Sequence, residues 1–133
     1  MKKYYCNFAL LMLGMIAVVS CGSRNESASQ PASLDSLAGR WARTDGDYMI
    51  EVKGIGADGK VDAAYFNPRP IHVARAEATR EGDSVKLFVE LRDTGYPGCL
   101  YKLTLDKTGA MLAGTYFQAA QNETFDVIFE RLK

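Results

Sequence analysis

The sequence has little of what most catalytic and metal sites are made of. His72 is its only histidine, and its three cysteines, Cys6, Cys21 and Cys99, form no CxxC pair. Zinc sites of ordinary spacing are thereby excluded. No serine motif accompanies His72, and no pair of carboxylates with opposed roles stands out. The chain is therefore expected not to be an enzyme and to need no cofactor or metal. An excess of one charge is missing too, since 16 basic side chains stand against 16 acidic ones in 133 residues. That balance excludes the basic footprint of a nucleic-acid binder and the acidic excess of a solvating tail. Long apolar runs are also absent. Phe8 to Val19 spans only 12 residues, well short of the roughly 20 that a membrane-spanning helix requires.

What is present begins with that short run. Lys2 and Lys3 precede it, which gives residues 1–20 the charged and apolar regions of an export signal. Val18-Val19-Ser20-Cys21 then resembles the lipobox of bacterial lipoproteins. The resemblance implies cleavage before Cys21 and lipidation of that cysteine, so the membrane is the first expected partner. Several acyl chains anchor stably where one holds only reversibly. Gly22 follows the cysteine, which under the same resemblance favours the outer membrane if the source is Gram-negative. Cys6 leaves with the signal and Cys21 is taken by lipid, so Cys99 remains alone and no internal disulfide is expected. A lone thiol on an apolar row is expected to be a small core residue.

Residues 21–36 are rich in Ser, Ala, Asn and Gln and hold no aromatic. Such a stretch buries too little to offset its ordering entropy, so it is expected to be a flexible tether with a reach on the order of 20 Å. Residues 37–133 then form one domain. Period-two alternation recurs through it, as in Tyr48-Ile50-Val52, Val85-Leu87-Val89-Leu91 and Phe125-Val127-Phe129, which marks half-buried strands. Further strands fit near 39–43, 60–66, 71–80, 99–105 and 111–118, giving eight. Asp45-Gly46, Asp58-Gly59, Gly82-Asp83 and Gly109 break the pattern with turn chemistry. Closure removes sheet edges, so the expected fold is all-β, an eight-stranded antiparallel up-and-down barrel. An interior of that size is either filled by side chains or holds one small ligand.

Leu37-Ala38-Gly39-Arg40-Trp41 resembles the glycine-x-tryptophan signature of the calycins, the superfamily of lipocalins and avidins. Leu112-x-Gly114-x-Tyr116 is similar to the penultimate strand of small avidin-like barrels. The resemblance implies that Trp41 is covered by a cation from the last strand at the closed barrel end. Arg131, in phase with Phe125, Val127 and Phe129, is the candidate. No biotin-site pattern is present.

An up-and-down order puts the connections 44–47, 67–70, 93–98 and 119–122 together at the end away from the tether. Pro68 and Pro70 stiffen the second, and Pro97-Gly98 is expected at the centre of a type II turn in the third. Tyr96 is placed there as an exposed anchor. Two uses follow. A small apolar or aromatic ligand would enter the open end and lie against Tyr65, Tyr101 and Tyr116, with Gln118 or a tyrosine hydroxyl fixing its orientation. Alternatively, rim loops 67–70 and 93–98 would engage an envelope protein, as an interaction or inhibitor module acting through Arg69 and Tyr96. A filled barrel without ligand stays open as well. So does the direction of strand 71–80, where either Ile71, Val73, Arg75 and Glu77 or Ala74, Ala76 and Ala78 face inward.

Overall fold

The computed structural model describes residues 32–133; the expected export signal, Cys21 and most of the expected tether lie outside them. A 3-10 helix, Leu34–Leu37, leads into nine strands: β1 Gly39–Arg43, β2 Met49–Ile55, β3 Val61–Asn67, β4 Arg69–Ile71, β5 Val73–Glu81, β6 Ser84–Asp93, β7 Tyr96–Leu105, β8 Met111–Gln118 and β9 Glu123–Arg131. They form one antiparallel sheet in the order β4-β3-β2-β1-β9-β8-β7-β6-β5, an up-and-down barrel that is nearly closed.

The count is nine rather than eight because strand 71–80 begins at Arg69 and changes partner at His72. Before His72 the chain pairs with β3, Tyr65 opposite Ile71; after it, the chain pairs with β6, Val73 opposite Leu91. Asp93 pins the corner. Its Oδ2 accepts the His72 N–H at 2.9 Å and its Oδ1 the Thr94 N–H at 2.7 Å, and those backbone donors hold its carboxyl below the usual range. The remaining seam, between β3 and β5, is bridged at Lys60 and Glu77 and by the Ala78 N–H to the Gly59 carbonyl at 2.8 Å.

The open question of which face of strand 71–80 looks inward has a double answer. A bulge between Val73 and Arg75 shifts the alternation by one residue. Ile71 before it and Ala76 and Ala78 after it are all buried, while Arg75 is exposed. Pro97-Gly98 is also corrected. The β6–β7 turn is Thr94-Gly95, and Pro97 already pairs with Arg92. Gly98, at φ +88°, makes the bulge between Leu91 and Arg92. Proline lacks the ladder N–H and is tolerated at just such an irregular strand start.

Burial follows the alternation elsewhere. Trp41, Ile50, Val89, Leu91, Cys99, Tyr101, Leu112 and Phe129 have no exposed surface, and Cys99 is a free thiol. Phe125, in phase with the inward row, is instead 39% exposed, because β9 starts there at the open rim. Leu37 plugs the opposite end, fully buried.

At that closed end the β7–β8 turn is tied by Asp106, which accepts from the N–H groups of Thr108, Ala110 and Met111 at 3.2, 2.9 and 2.8 Å and from the Thr108 hydroxyl. The Thr108 hydroxyl foremost, then the backbone donors, hold this carboxyl down to about 2. An unfolded aspartate titrates near about 3.9, so the folded state is favoured above that pH and loses the contribution as pH falls toward 2. The Tm gap between the protein and Asp106→Asn is therefore expected to be widest from about pH 5 upward and to close toward pH 2. Thermal melts across that range read it, and a gap independent of pH would contradict the role of the charge.

Candidate functional site

The open end gathers the connections around a cavity of about 330 Å³ lined by Arg43, Tyr48, Asn67, Gly95, Tyr96, Tyr116, Gln118 and Phe125. Its floor is a stack of tyrosines. The ring of Tyr101 stacks on Tyr116 at 4.5 Å with 25° between the planes, meets Phe129 edge-on at 5.4 Å and lies 5.6 Å from Tyr65, which Tyr96 meets edge-on at 6.2 Å. Strand alternation produces this layer, since Tyr65 on β3, Tyr101 on β7, Tyr116 on β8 and Phe129 on β9 are all inward positions, and Tyr101 pairs directly with Tyr116.

Buried hydroxyls need partners. Those of Tyr65 and Tyr101 bond each other at 2.9 Å, and Tyr101 also accepts from Arg43 Nη1 at 3.2 Å. Burial pushes the hydroxyls of Tyr65 and Tyr101 above the ordinary phenol value. Burial and then the Cys99 thiol do the same for Tyr116. All three therefore stay protonated at neutral pH and keep a donor.

Arg43 ties the floor to the rim. Its side chain is only 9% exposed, against 55% for Asp45, to which Nε and Nη2 donate at 2.5 and 2.8 Å. Its guanidinium carbon lies 4.5 Å from the Tyr48 ring centre and 5.5 Å from that of Tyr116. Burial alone would lower its pKa, but the bonds to Asp45 and Tyr101 outweigh burial and leave it raised. The same pair holds Asp45 below the usual carboxylate range.

The residues singled out in the sequence do not come together at one place. Tyr116 and Gln118 wall the cavity, whereas Tyr65 and Tyr101 are buried beneath it with their hydroxyls committed. Tyr96 does not project outward; it turns into the mouth, where the Asn67 amide donates to its hydroxyl. Arg69 stays outside, more than half exposed, 3.9 Å from Asp93. Trp41 and Arg131 sit at the opposite end, the guanidinium carbon 4.1 Å from the indole centre. His72 is exposed, and Cys21 is outside the described residues.

Arg43 was not expected at the mouth, and Asn67 was placed only in the rim connection 67–70, although both positions carried a further signal. Arg43 is two residues beyond Trp41 and Asn67 two beyond Tyr65, so each continues an inward row to its last place. Among the described residues no three His, Cys, Asp or Glu side chains converge on a metal-sized site. Compared with known proteins, the chain matches no family model and no curated protein.

Proposed function

We propose that this is a lipid-anchored, noncatalytic protein of the cell envelope whose barrel binds one small, flat, apolar or aromatic molecule at its open end. One observation carries the reading: Tyr48, Tyr96, Tyr116 and Phe125 share with Arg43, Asn67 and Gln118 the walls of a half-open cavity of about 330 Å³ above a buried apolar core. That volume is at the low end of the roughly 300–1,000 Å³ of small-molecule pockets. Tyr48, Tyr96, Tyr116 and Phe125 offer ring faces and edges, while Asn67, Gln118 and Arg43 offer a few directed polar groups. Glycine-x-tryptophan on β1, with the Arg131 guanidinium over the indole, supports grouping the domain with calycin-like barrels. The described chain begins beside the closed end, so a lipid on Cys21 would leave the mouth facing away from the bilayer.

The interaction reading rests on Arg69, which is free enough to meet a partner at 58% side-chain exposure. It loses Tyr96 to the mouth, and the ligand reading accounts for both Tyr96 and Asn67.

Two experiments test the proposal. Titration of the full-length protein in detergent with 2-naphthylmethanol, followed by amide NMR, is expected to shift residues 43–48, 95–96, 116–118 and 125. Phe125→Ala should weaken binding about fivefold through lost ring contact while leaving the melt unchanged. Absence of shifts at the mouth would refute ligand binding there. Separately, Cys21→Ser should release the protein from membranes, and retained attachment would refute the anchor.

A further inference from the structure

We infer that the ligand taken by this mouth carries a carboxylate, and that Asp45 is an internal stand-in for it, displaced from Arg43 when the ligand binds. The inference rests on the ligand-binding reading and specifies its chemistry.

The Arg43 side chain is 9% exposed and lines the cavity, and a cation so largely withdrawn from water favours an anionic partner, because an uncompensated buried charge is strongly unfavourable. Arg43 is also prepared as a rigid receptor. Tyr101 fixes one terminal nitrogen from below, and the rings of Tyr48 and Tyr116 hold the plane. Arginine in that state offers the planar fork that matches a carboxylate through two parallel bonds. Asp45 occupies the fork with that two-bond geometry, through both of its oxygens. Its own surroundings are the opposite of Arg43's. It stands two residues along the chain on the β1–β2 connection, 55% exposed, where water can receive its carboxylate.

The two halves of the pair therefore differ: the cation is built in and the anion is replaceable. Aromatic walls next to the fork suit a ring attached to the incoming carboxylate. Of the other acids at this end, Asp93 is committed to the backbone N–H groups of His72 and Thr94.

The test compares 2-naphthoate with its neutral carboxamide on the full-length protein in detergent, by calorimetry and by NMR of the Arg43 Nε–H. The naphthoate is expected to bind more tightly and to move the Arg43 resonance, which the carboxamide leaves in place. Asp45→Asn removes the competing charge without touching the buried wall. It should raise naphthoate affinity about tenfold and leave the carboxamide unchanged. Equal binding of both probes at the mouth, or no gain for naphthoate in Asp45→Asn, overturns the inference while ligand binding stands. Absence of binding by either probe overturns both. Arg43→Lys gives a second reading through a charge without the fork, and should abolish the preference for naphthoate; an unchanged preference would also overturn it.

Discussion

Gly114→Ala is expected to destabilise the barrel by about 3 kcal/mol or more, or to prevent folding, with no change in charge or polarity. A Cβ at this position would sit 1.9 Å from the Lys102 carbonyl oxygen, 2.9 Å from its carbon and 3.0 Å from the Leu103 Cα. All three are backbone atoms of the adjacent strand, so no side chain can rotate away. Gly114 pairs with Leu103 of β7 on one side and Val127 of β9 on the other. Relief of the clash would therefore push β7 off β8 and disturb the buried row Tyr101, Leu103 and Leu105. Gly54→Ala is the matched control, because nothing lies within 4 Å of its Cβ direction and its φ is not positive. Its effect should stay within about 0.5 kcal/mol. Urea denaturation midpoints of the two variants make the comparison, and equal midpoints would show that β7 and β8 are less closely apposed than described.

The same local contrast explains what the sequence could and could not convey. Alternation on β6 from Val85 to Leu91 and on β7 from Cys99 to Leu105 runs uninterrupted, and those side chains are buried as the pattern requires. Bulges leave no such trace. A residue inserted at Ala74 reverses the phase, so the pattern after it contradicts the pattern before it, and both halves of strand 71–80 are inward in their own stretch. Pro97-Gly98 misled for a related reason. A positive φ is needed at Gly98 for a bulge as much as for a turn, and composition does not distinguish the two.

Of the cavity lining, Tyr116, Gln118 and the 67–70 connection were legible in the sequence, and Arg43 was not. Tyr65, Tyr101 and Tyr116 follow from alternation, but which of them reaches the cavity depends on depth along the barrel axis, and that is set by the register of Tyr101 with Tyr116 and of Tyr65 with Ile50. Polar residues ending an inward row are ambiguous in sequence, since an exposed strand end looks the same. Arg43 resolves toward the interior because Tyr101 offers it a buried acceptor from 58 positions away. A contact of that range has no local signature.

Arg131→Ala is expected to lower stability by about 3 kcal/mol and to loosen the closed end, through the loss of a cation over the indole together with charge-assisted hydrogen bonds. The guanidinium covers Trp41 and donates to three backbone carbonyls, those of Gly109 at 2.9 Å, Ala38 at 2.7 Å and Ser36. Two of the three belong to the segment that carries Leu37 into the barrel, and the Trp41 indole N–H holds the Leu37 carbonyl at 2.9 Å. One side chain thus closes the β7–β8 turn, the 3-10 helix and the tryptophan together. Gly39 belongs to the same arrangement. It has φ +132°, and a Cβ there would approach Arg131 Nη1 to 2.8 Å, so the glycine two residues before the tryptophan is the space through which the guanidinium reaches its carbonyls. Trp41 is the only tryptophan, so its emission reports the loss directly, shifting red in Arg131→Ala as water reaches the ring. Arg131→Lys keeps the cation but not the planar fork, and should recover less than half of the stability and only part of the emission shift. Unchanged emission in Arg131→Ala, with a stability loss under about 1 kcal/mol, would mean that Leu37 and the β-ladder close this end without the arginine.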